Sequence, residues 1–350
     1  MQQDRVPPLM LLALELTRAC PLACKHCRAA SVNRPLPGQL TTDEIFLILK
    51  NIAARYKPIL ILTGGEPLLR SDLEVIVKGA TALGFKPVLA PCGLGFDYDK
   101  AKKLKDWGIE RISLSIDGAT AKTHDFLRGV DGAFGAVVEA ARAAKAAGLP
   151  FQVNTTIFSG NVDEIKKIMK LAIELGAVAF HPFMLVPAGR GKKFWSESLT
   201  PEQYERALEE VADISKDLPM PIKPTCAPQF ARIVRQKKIK PSASERMSRG
   251  CLAGVGFAFI SSLGKIQTCG FLEVEIGDVR KSDYDFLSIW DDAPIFVKLR
   301  KKDNYKGRCG VCSFWNVCGG CRARSFGALD DYMEEDPLCI YKPGGANEVE

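Results

Sequence analysis

The chain has 350 residues, 47% hydrophobic and 25% charged, with 48 Lys and Arg against 41 Asp and Glu for a formal net charge of +7. That is the composition of a soluble globular protein, long enough for one large domain and a smaller second one. The basic runs 235–240 (RQKKIK) and 298–302 (KLRKK) have no aromatics interleaved, so no nucleic-acid partner is expected, and a small anionic substrate suits the mild positive excess better.

Residues 1–8 read as an N-terminal tail. The run 9–16 (LMLLALEL) is too short to span a membrane and lacks a small-residue cleavage site, so no membrane span is expected and the run reads as a buried strand. From there to about residue 186, apolar runs alternate with helical patterns. The strand candidates are 9–16, 58–63, 86–91, 111–116, 151–157 and 179–185. Continuously apolar runs are those of a parallel sheet covered on both faces. Helical patterns occupy 41–56, 71–84, 97–108, 133–148 and 161–176, the first opening on a Thr cap and an acidic turn. Crossovers of this length force parallel, right-handed connections. Six units are fewer than the eight of a closed barrel, so the expected fold class is α/β, with an open, partial (β/α)6 TIM-like barrel over 9–195. A helical linker or substrate region is expected over 196–248, a smaller cysteine-rich domain over 249–342 and a C-terminal tail over 343–350.

In such barrels the chemistry collects in the loops that follow the strands. The loop after the first strand candidate carries Cys20, Cys24 and Cys27 in a C-x3-C-x2-C spacing, which offers three thiolates to one metal centre and leaves a fourth position without an obvious protein ligand. A structural zinc site and a redox-sensitive thiol cluster are the alternatives, although zinc more commonly reads as paired C-x2-C units. After the second candidate come Gly64, Gly65, Glu66 and Pro67; the glycines let backbone approach a ligand closely, and the carboxylate is expected in the barrel mouth. Cys92, after the third candidate, reads as a plain core thiol. Of twelve cysteines, three lie in one N-terminal loop and seven in the last hundred residues. This points to metal rather than disulfides, and to a reducing, cytoplasmic and oxygen-poor location.

Together the two motifs resemble the radical S-adenosylmethionine (SAM) enzymes. The resemblance implies that Cys20, Cys24 and Cys27 hold a [4Fe–4S] cluster with one open iron, where S-adenosyl-L-methionine binds through its amine and carboxylate, with Gly64, Gly65, Glu66 and Pro67 meeting the amine. It further implies a 5′-deoxyadenosyl radical that takes hydrogen from an unactivated carbon. Ser115, Asp117, Arg128 and Asn154 match the family more loosely, Arg128 as a fork for the cofactor carboxylate. Asp117-Gly118 reads more simply as a turn.

After residue 250 helical periodicity thins, and the cysteines resemble the C-terminal iron–sulfur extension of the family, the SPASM or shorter twitch type: C-x9–15-G-x4-C, then C-x2-C-x5-C-x3-C and a final cysteine. Cys251, Gly264 and Cys269 keep the first piece, but two residues rather than three separate Cys318 from Cys321. The resemblance implies one auxiliary [4Fe–4S] cluster on Cys309, Cys312, Cys318 and Cys339. Cys251, Cys269 and Cys321 are left for a second auxiliary cluster, with Cys226 or a substrate group as its fourth ligand, or for buried thiols of a twitch-like fold. A zinc-stapled lobe is the alternative for all seven.

Segments such as 24–30 (CKHCRAA), 181–191 (HPFMLVPAGRG) and 318–339 (CGGCRARSFGALDDYMEEDPLC) resemble the tetrapyrrole-processing branch of the family, in particular its heme b-forming members. This implies an anionic iron-porphyrin substrate, iron-coproporphyrin III, with two propionates oxidatively decarboxylated to vinyl groups. It also implies an auxiliary cluster to take the electron released and a low-potential electron donor. Arg28, Arg190, Arg232 and Arg322 are candidates for the propionates, and His26 and His181 for the substrate or its iron. Rival readings are other tetrapyrrole reactions (deacetylation of didecarboxysiroheme, propionate removal in heme d1 synthesis), peptide maturation, and a non-catalytic iron–sulfur electron carrier. Peptide-maturing enzymes often carry a docking segment ahead of the first strand, which the eight residues there do not provide.

Overall fold

The computed structural model describes residues 6–239 and 250–344, so the expected tails beyond these bounds and linker residues 240–248 lie outside the described residues. The strands are β1 (Leu11–Glu15), β2 (Ile59–Thr63), β3 (Lys86–Leu89), β4 (Arg111–Ser115), β5 (Phe151–Ile157), β6 (Ala179–Met184), β7 (Phe257–Ile260), β8 (Lys265–Gln267) and β9 (Gly277–Asp278). Among the described residues they form one sheet in the order β6-β5-β4-β3-β2-β1-β7-β8-β9. The first six pair in chain order and are all parallel, giving the expected (β/α)6 unit.

The crossovers are α1 (Thr42–Ala53), α2 (Leu73–Ala82), α3 (Tyr98–Trp107), then α4 (Ala121–Arg128) together with α5 (Ala133–Ala146), and α6 (Ile165–Leu175). Helix α1 starts where its sequence says: Thr41 accepts the Glu44 N–H, and the Glu44 carboxylate takes the Thr41 N–H in return. Helix α4, which carries Arg128, has no counterpart among the sequence-derived patterns. It is short, and its buried residues are His124 and Leu127 rather than a long apolar stripe.

Strand burial also departs from the two-sided apolar expectation. Along β4 and β5 every second residue is buried, and the intervening Ser113, Ser115, Gln152, Asn154 and Thr156 are half-exposed. Ile112, Leu114, Phe151 and Val153 join the core with the helices, so the polar set faces the open interior of the partial barrel. An open barrel needs only one packed face.

A second difference concerns the expected boundary near residue 249. Strand β7 pairs in parallel with β1, Ala13 lying opposite Phe259, and β8 and β9 follow it antiparallel. The sheet therefore runs from the barrel into the cysteine-rich region without a break. Between them, α7 (Pro201–Ile214) and α8 (Gln229–Gln236) pack against each other, and bridges at Ile222 and Thr225 extend the far edge beside β6. Among the described residues no helix is long and apolar enough to cross a membrane.

Candidate active site

The loop after β1 brings Cys20, Cys24 and Cys27 together, and backbone geometry prepares two of the three sulfurs. Leu22 N–H points at Cys20 Sγ (3.4 Å) and Ser31 N–H at Cys27 Sγ (3.4 Å). Arg128 Nη1 reaches Cys24 Sγ at 3.8 Å. Donors aimed at sulfur suit thiolates and cluster ligands. Burial pushes the Cys20 thiol up to about 11 and raises Cys24 against the pull of Arg128. At Cys27 burial is outweighed by Ser31, Arg190 and Arg28, and its thiol is lowered.

The loop is clamped from two sides. From β2, Gly65 N–H donates to Thr17 O and Glu66 N–H to Ala19 O, both at 2.7 Å. A Cβ on Gly65 would lie 2.3 Å from Ala19 O, so only glycine permits this approach. From the segment after β6, Arg190 N–H donates to Cys27 O (2.9 Å), its Nε to Cys24 O (2.8 Å) and its Nη1 to Ser31 O (2.6 Å). Gly189 sits at φ +56, where a Cβ would meet Arg28 O at 2.2 Å. Arg190, expected as a substrate contact, thus straps the cysteine loop. Its Nη2 and Nδ1 of His26 are buried without a hydrogen-bond partner among the described residues.

Glu66 is buried, and its carboxylate takes Leu68 N–H (2.9 Å) and Cys92 N–H (2.5 Å) instead of standing free in the barrel mouth. Burial outweighs these bonds and raises its pKa. Cys92 belongs to this site: it packs with Cys20, Leu22 and Cys24. Burial first, then the Glu66 carboxylate, push its thiol strongly up.

Asp117, expected as a turn residue, is a fully buried hub. It takes Arg128 Nε at 2.6 Å and Thr156 N–H at 2.7 Å, while its own N–H donates to His124 Nδ1 at 3.0 Å. Burial alone would raise its pKa, but Arg128, His26 and His124 outweigh it and hold it low. Arg128 is thereby engaged with Asp117 and Cys24 rather than presented as an open fork. The resemblance marks Asp117 only as a loose match at a strand end; its role as a hub depends on partners from α4 and β5.

Ser115, Asn154 and His181 fall opposite one another in the register of β4, β5 and β6 and share the interior face. Gln152 donates to Asn154 Oδ1 (2.9 Å) and contacts His181 Nδ1 (3.3 Å). On the other flank, Arg28 pairs with buried Glu15 (3.1 Å) and stacks on Phe259 of β7, 4.6 Å from the ring centroid. Arg232 and Arg322 lie away from the barrel mouth. Arg232 pairs with Glu205 at 2.6 Å, and Arg322 is fully buried beside Cys309.

The remaining cysteines gather in two groups. Cys309, Cys312, Cys318 and Cys339 line one cavity with Arg232, Arg308 and Tyr341. Gly320 closes on it: a Cβ there would meet Cys309 Sγ at 3.1 Å, and its φ is +63. Four thiols around one space, with backbone N–H groups of Phe314, Gly320 and Tyr341 facing Cys312, Cys318 and Cys339, fit a protein-ligated cluster. The second group comprises Cys226, Cys251, Cys269 and Cys321. The Cys226 thiol donates to Cys321, which raises Cys226 and lowers Cys321 to about 7, while Cys251 and Cys269 are raised by burial and then by these neighbours. Cys226 reaches this place through a left-handed backbone, φ +54. Cys226, Cys269 and Cys321 pack against Val186 and Ala188, just beyond β6, so this group lies on the barrel side. Among the described residues no three His, Cys, Asp or Glu side chains close around a point for a single ion. The thiol groups are accordingly identified by their pairwise contacts and, for the first, by a shared cavity.

Residues 14–172 match the model of the radical SAM superfamily. The chain is similar to AdoMet-dependent heme synthase of Methanosarcina barkeri (strain Fusaro / DSM 804), with 45% identity over 342 residues, 95% of this chain and 97% of that protein. It is 32% identical to pre-heme d1 synthase of Dinoroseobacter shibae (strain DSM 16493 / NCIMB 14021 / DFL 12), over 96% of this chain and 87% of the other. In fold it is similar to Streptococcus suis SuiB bound to S-adenosylmethionine, with a TM-score of 0.74 at 18% identity, covering 95% of this chain and 77% of SuiB. On the cysteine loop, the parallel barrel around it and this similarity along nearly the whole chain, the protein belongs to the radical SAM superfamily.

Proposed function

We propose that the protein is a heme b-forming radical SAM enzyme that oxidatively decarboxylates two propionates of iron-coproporphyrin III to vinyl groups. S-adenosylmethionine at a [4Fe–4S] cluster supplies a 5′-deoxyadenosyl radical. Cys20, Cys24 and Cys27 would hold that cluster, the Gly64–Gly65–Glu66–Pro67 turn would position the cofactor amine, and Ser115 and Asn154 line the interior where the rest of the cofactor fits. Arg28 and the buried, unpartnered Nη2 of Arg190 offer cationic donors to an anionic porphyrin, with His26 beside them. Each propionate gives up one hydrogen atom from its β-carbon, carbon dioxide and one electron. The reaction therefore needs a one-electron sink, which the Cys226 group and the Cys309 group together would supply as two auxiliary [4Fe–4S] clusters.

The observation that carries this reading is the end-to-end similarity to AdoMet-dependent heme synthase in a chain that also has two further cysteine sets behind the barrel. A cytoplasmic, oxygen-poor location and a low-potential electron donor follow from the same chemistry. The test is anaerobic turnover of iron-coproporphyrin III followed by mass spectrometry. Two successive losses of the elements of formic acid are expected. An unchanged porphyrin alongside 5′-deoxyadenosine production would direct the assignment to another tetrapyrrole, with the heme d1 precursor as the next substrate to offer.

A further inference from the structure

Among the described residues, four arginines lie beside the two C-terminal cysteine groups, and three of them carry their own carboxylate. Arg232 and Arg308, which line the cavity of the Cys309 group, are paired with Glu205 and Glu335. Arg324, beside the Cys226 group, is held through Nε and Nη2 by Asp336 at 2.8 Å, with both side chains fully buried.

Arg322 is different. It is also fully buried, yet its hydrogen bonds among the described residues go to Tyr332 O (3.1 Å), Glu334 O (2.6 Å), Gly320 O (3.4 Å) and Cys309 Sγ (3.5 Å). Its guanidinium also lies over the Tyr305 ring, 4.8 Å from the centroid. None of these partners is a carboxylate. An uncompensated cation is costly in a protein interior; Cys309 is the largest countercharge to Arg322, while Cys251 and the Asp336 carboxylate, itself bonded to Arg324, act on it more weakly. A cation fixed beside a cluster thiolate stabilises the form that has gained an electron, because net charge and hydrogen bonds to sulfur set cluster potentials.

The two cysteine groups are joined at this point. Cys318 of one and Cys321 of the other are separated by Gly319 and Gly320, Cys251 N–H donates to Cys318 O at 3.1 Å, and the Arg322 N–H faces Cys251. The barrel-side group has Arg324, neutralised by Asp336, and feels Arg322 only at a distance through Cys251, while the far group has the Arg322 guanidinium hydrogen-bonded to Cys309 Sγ.

We propose that Arg322 is the positioning residue that sets the reduction potential of the Cys309–Cys312–Cys318–Cys339 cluster above that of the Cys226–Cys251–Cys269–Cys321 cluster. One electron leaving the near cluster oxidises it and reduces the far one, so charge released at the barrel moves outward. The inference rests on the reading that both groups hold clusters, and it is independent of which porphyrin is the substrate.

The test is an anaerobic redox titration of the reconstituted full chain followed by electron paramagnetic resonance, with iron content measured on every sample and no porphyrin present. Arg322→Gln is expected to shift the far cluster's reduction equilibrium at least tenfold toward the oxidised form, about 59 mV for a one-electron couple. Arg322→Lys is expected to keep most of the wild-type potential, since it keeps the charge. Equal shifts in both variants, or no shift in Arg322→Gln, would overturn the proposal. A reading that survives misfolding of these variants comes from Cys312→Ala and Cys269→Ala. The couple lost in Cys312→Ala must be the higher of the two auxiliary couples and the one lost in Cys269→Ala the lower; the reverse order would overturn the proposal. Because no turnover is measured, this result and the product analysis of iron-coproporphyrin III can fail separately.

Discussion

The Asp117 carboxylate holds Arg128 Nε at 2.6 Å, and the same guanidinium extends Nη1 to within 3.8 Å of Cys24 Sγ. A strand end, a helix end and the cysteine loop are thus tied through one ion pair whose acid is fully buried. Removing one partner of such a pair leaves an uncompensated charge. Asp117→Asn is therefore expected to lower unfolding free energy by about 3–5 kcal/mol, whereas Asp117→Leu with Arg128→Met costs less than the single change. Denaturant unfolding of the three proteins under argon measures this; a single variant as stable as wild type would remove Asp117 from its central place.

Gly65→Ala places a methyl group 2.3 Å from Ala19 O, where the two loops are joined by backbone hydrogen bonds. The turn must move away from the cysteine loop by a fraction of an ångström to an ångström. Misplacement on that scale costs up to about 10²-fold in rate, so 5′-deoxyadenosine formation is expected to fall by one to two orders of magnitude with little change in iron content. Wild-type formation in this variant would show that the close approach is not needed.

The thiols separate by role. Cys24→Ala is expected to abolish SAM cleavage, and Cys312→Ala to lose an auxiliary cluster while some uncoupled 5′-deoxyadenosine formation persists. Cys92→Ser is expected to keep both iron and cleavage, because Cys92 lies outside the three-cysteine loop against Glu66, and a serine hydroxyl can donate to the same carboxylate. Iron analysis and quantified 5′-deoxyadenosine read all three; loss of iron in Cys92→Ser would make it a ligand.

Acid should weaken the fold in two steps. Burial, with help from Arg128, holds His124 neutral and lowers its pKa to about 4, below the roughly 6.5 of an unfolded histidine. A group depressed in this way contributes stability that is complete above about pH 6.5 and is lost as pH falls toward 4, at about 1.4 kcal/mol per pH unit. Asp336, held at about 2 against burial chiefly by Arg324, adds a second loss between about pH 4 and 2. Unfolding titrations between pH 7 and 4 should show a shallower slope in His124→Asn, which keeps an acceptor for the Asp117 N–H. An unchanged slope would mean that another group titrates there.

The six barrel strands were legible because each is a short apolar run bounded by turn residues. Their predicted and observed limits differ by at most two residues at either end. Strand β7 was not legible: Phe257–Ile260 is only four residues long, and its partner β1 lies more than 240 residues earlier in the chain. Spacing marked the cysteine loop, and the family resemblance marked the Cys309 group, since most of those cysteines are near neighbours in sequence. The approach of Cys226 to Cys321 was one of two alternatives left open for the fourth position of that group, and the capture of Arg128 by Asp117 depends on tertiary contacts that no local pattern encodes. Arg232 and Arg322 looked like surface or substrate arginines because composition does not reveal that a long cationic side chain is folded inward onto Glu205 or onto main-chain carbonyls.

The measurement that tests the account most directly is quantification of 5′-deoxyadenosine from the anaerobically reconstituted full chain, given dithionite and S-adenosylmethionine, with the Cys20–Cys24–Cys27 cluster verified by spectroscopy in the same sample. The account predicts steady formation of 5′-deoxyadenosine that vanishes in Cys24→Ala. An intact cluster at that loop with no 5′-deoxyadenosine formed would contradict it.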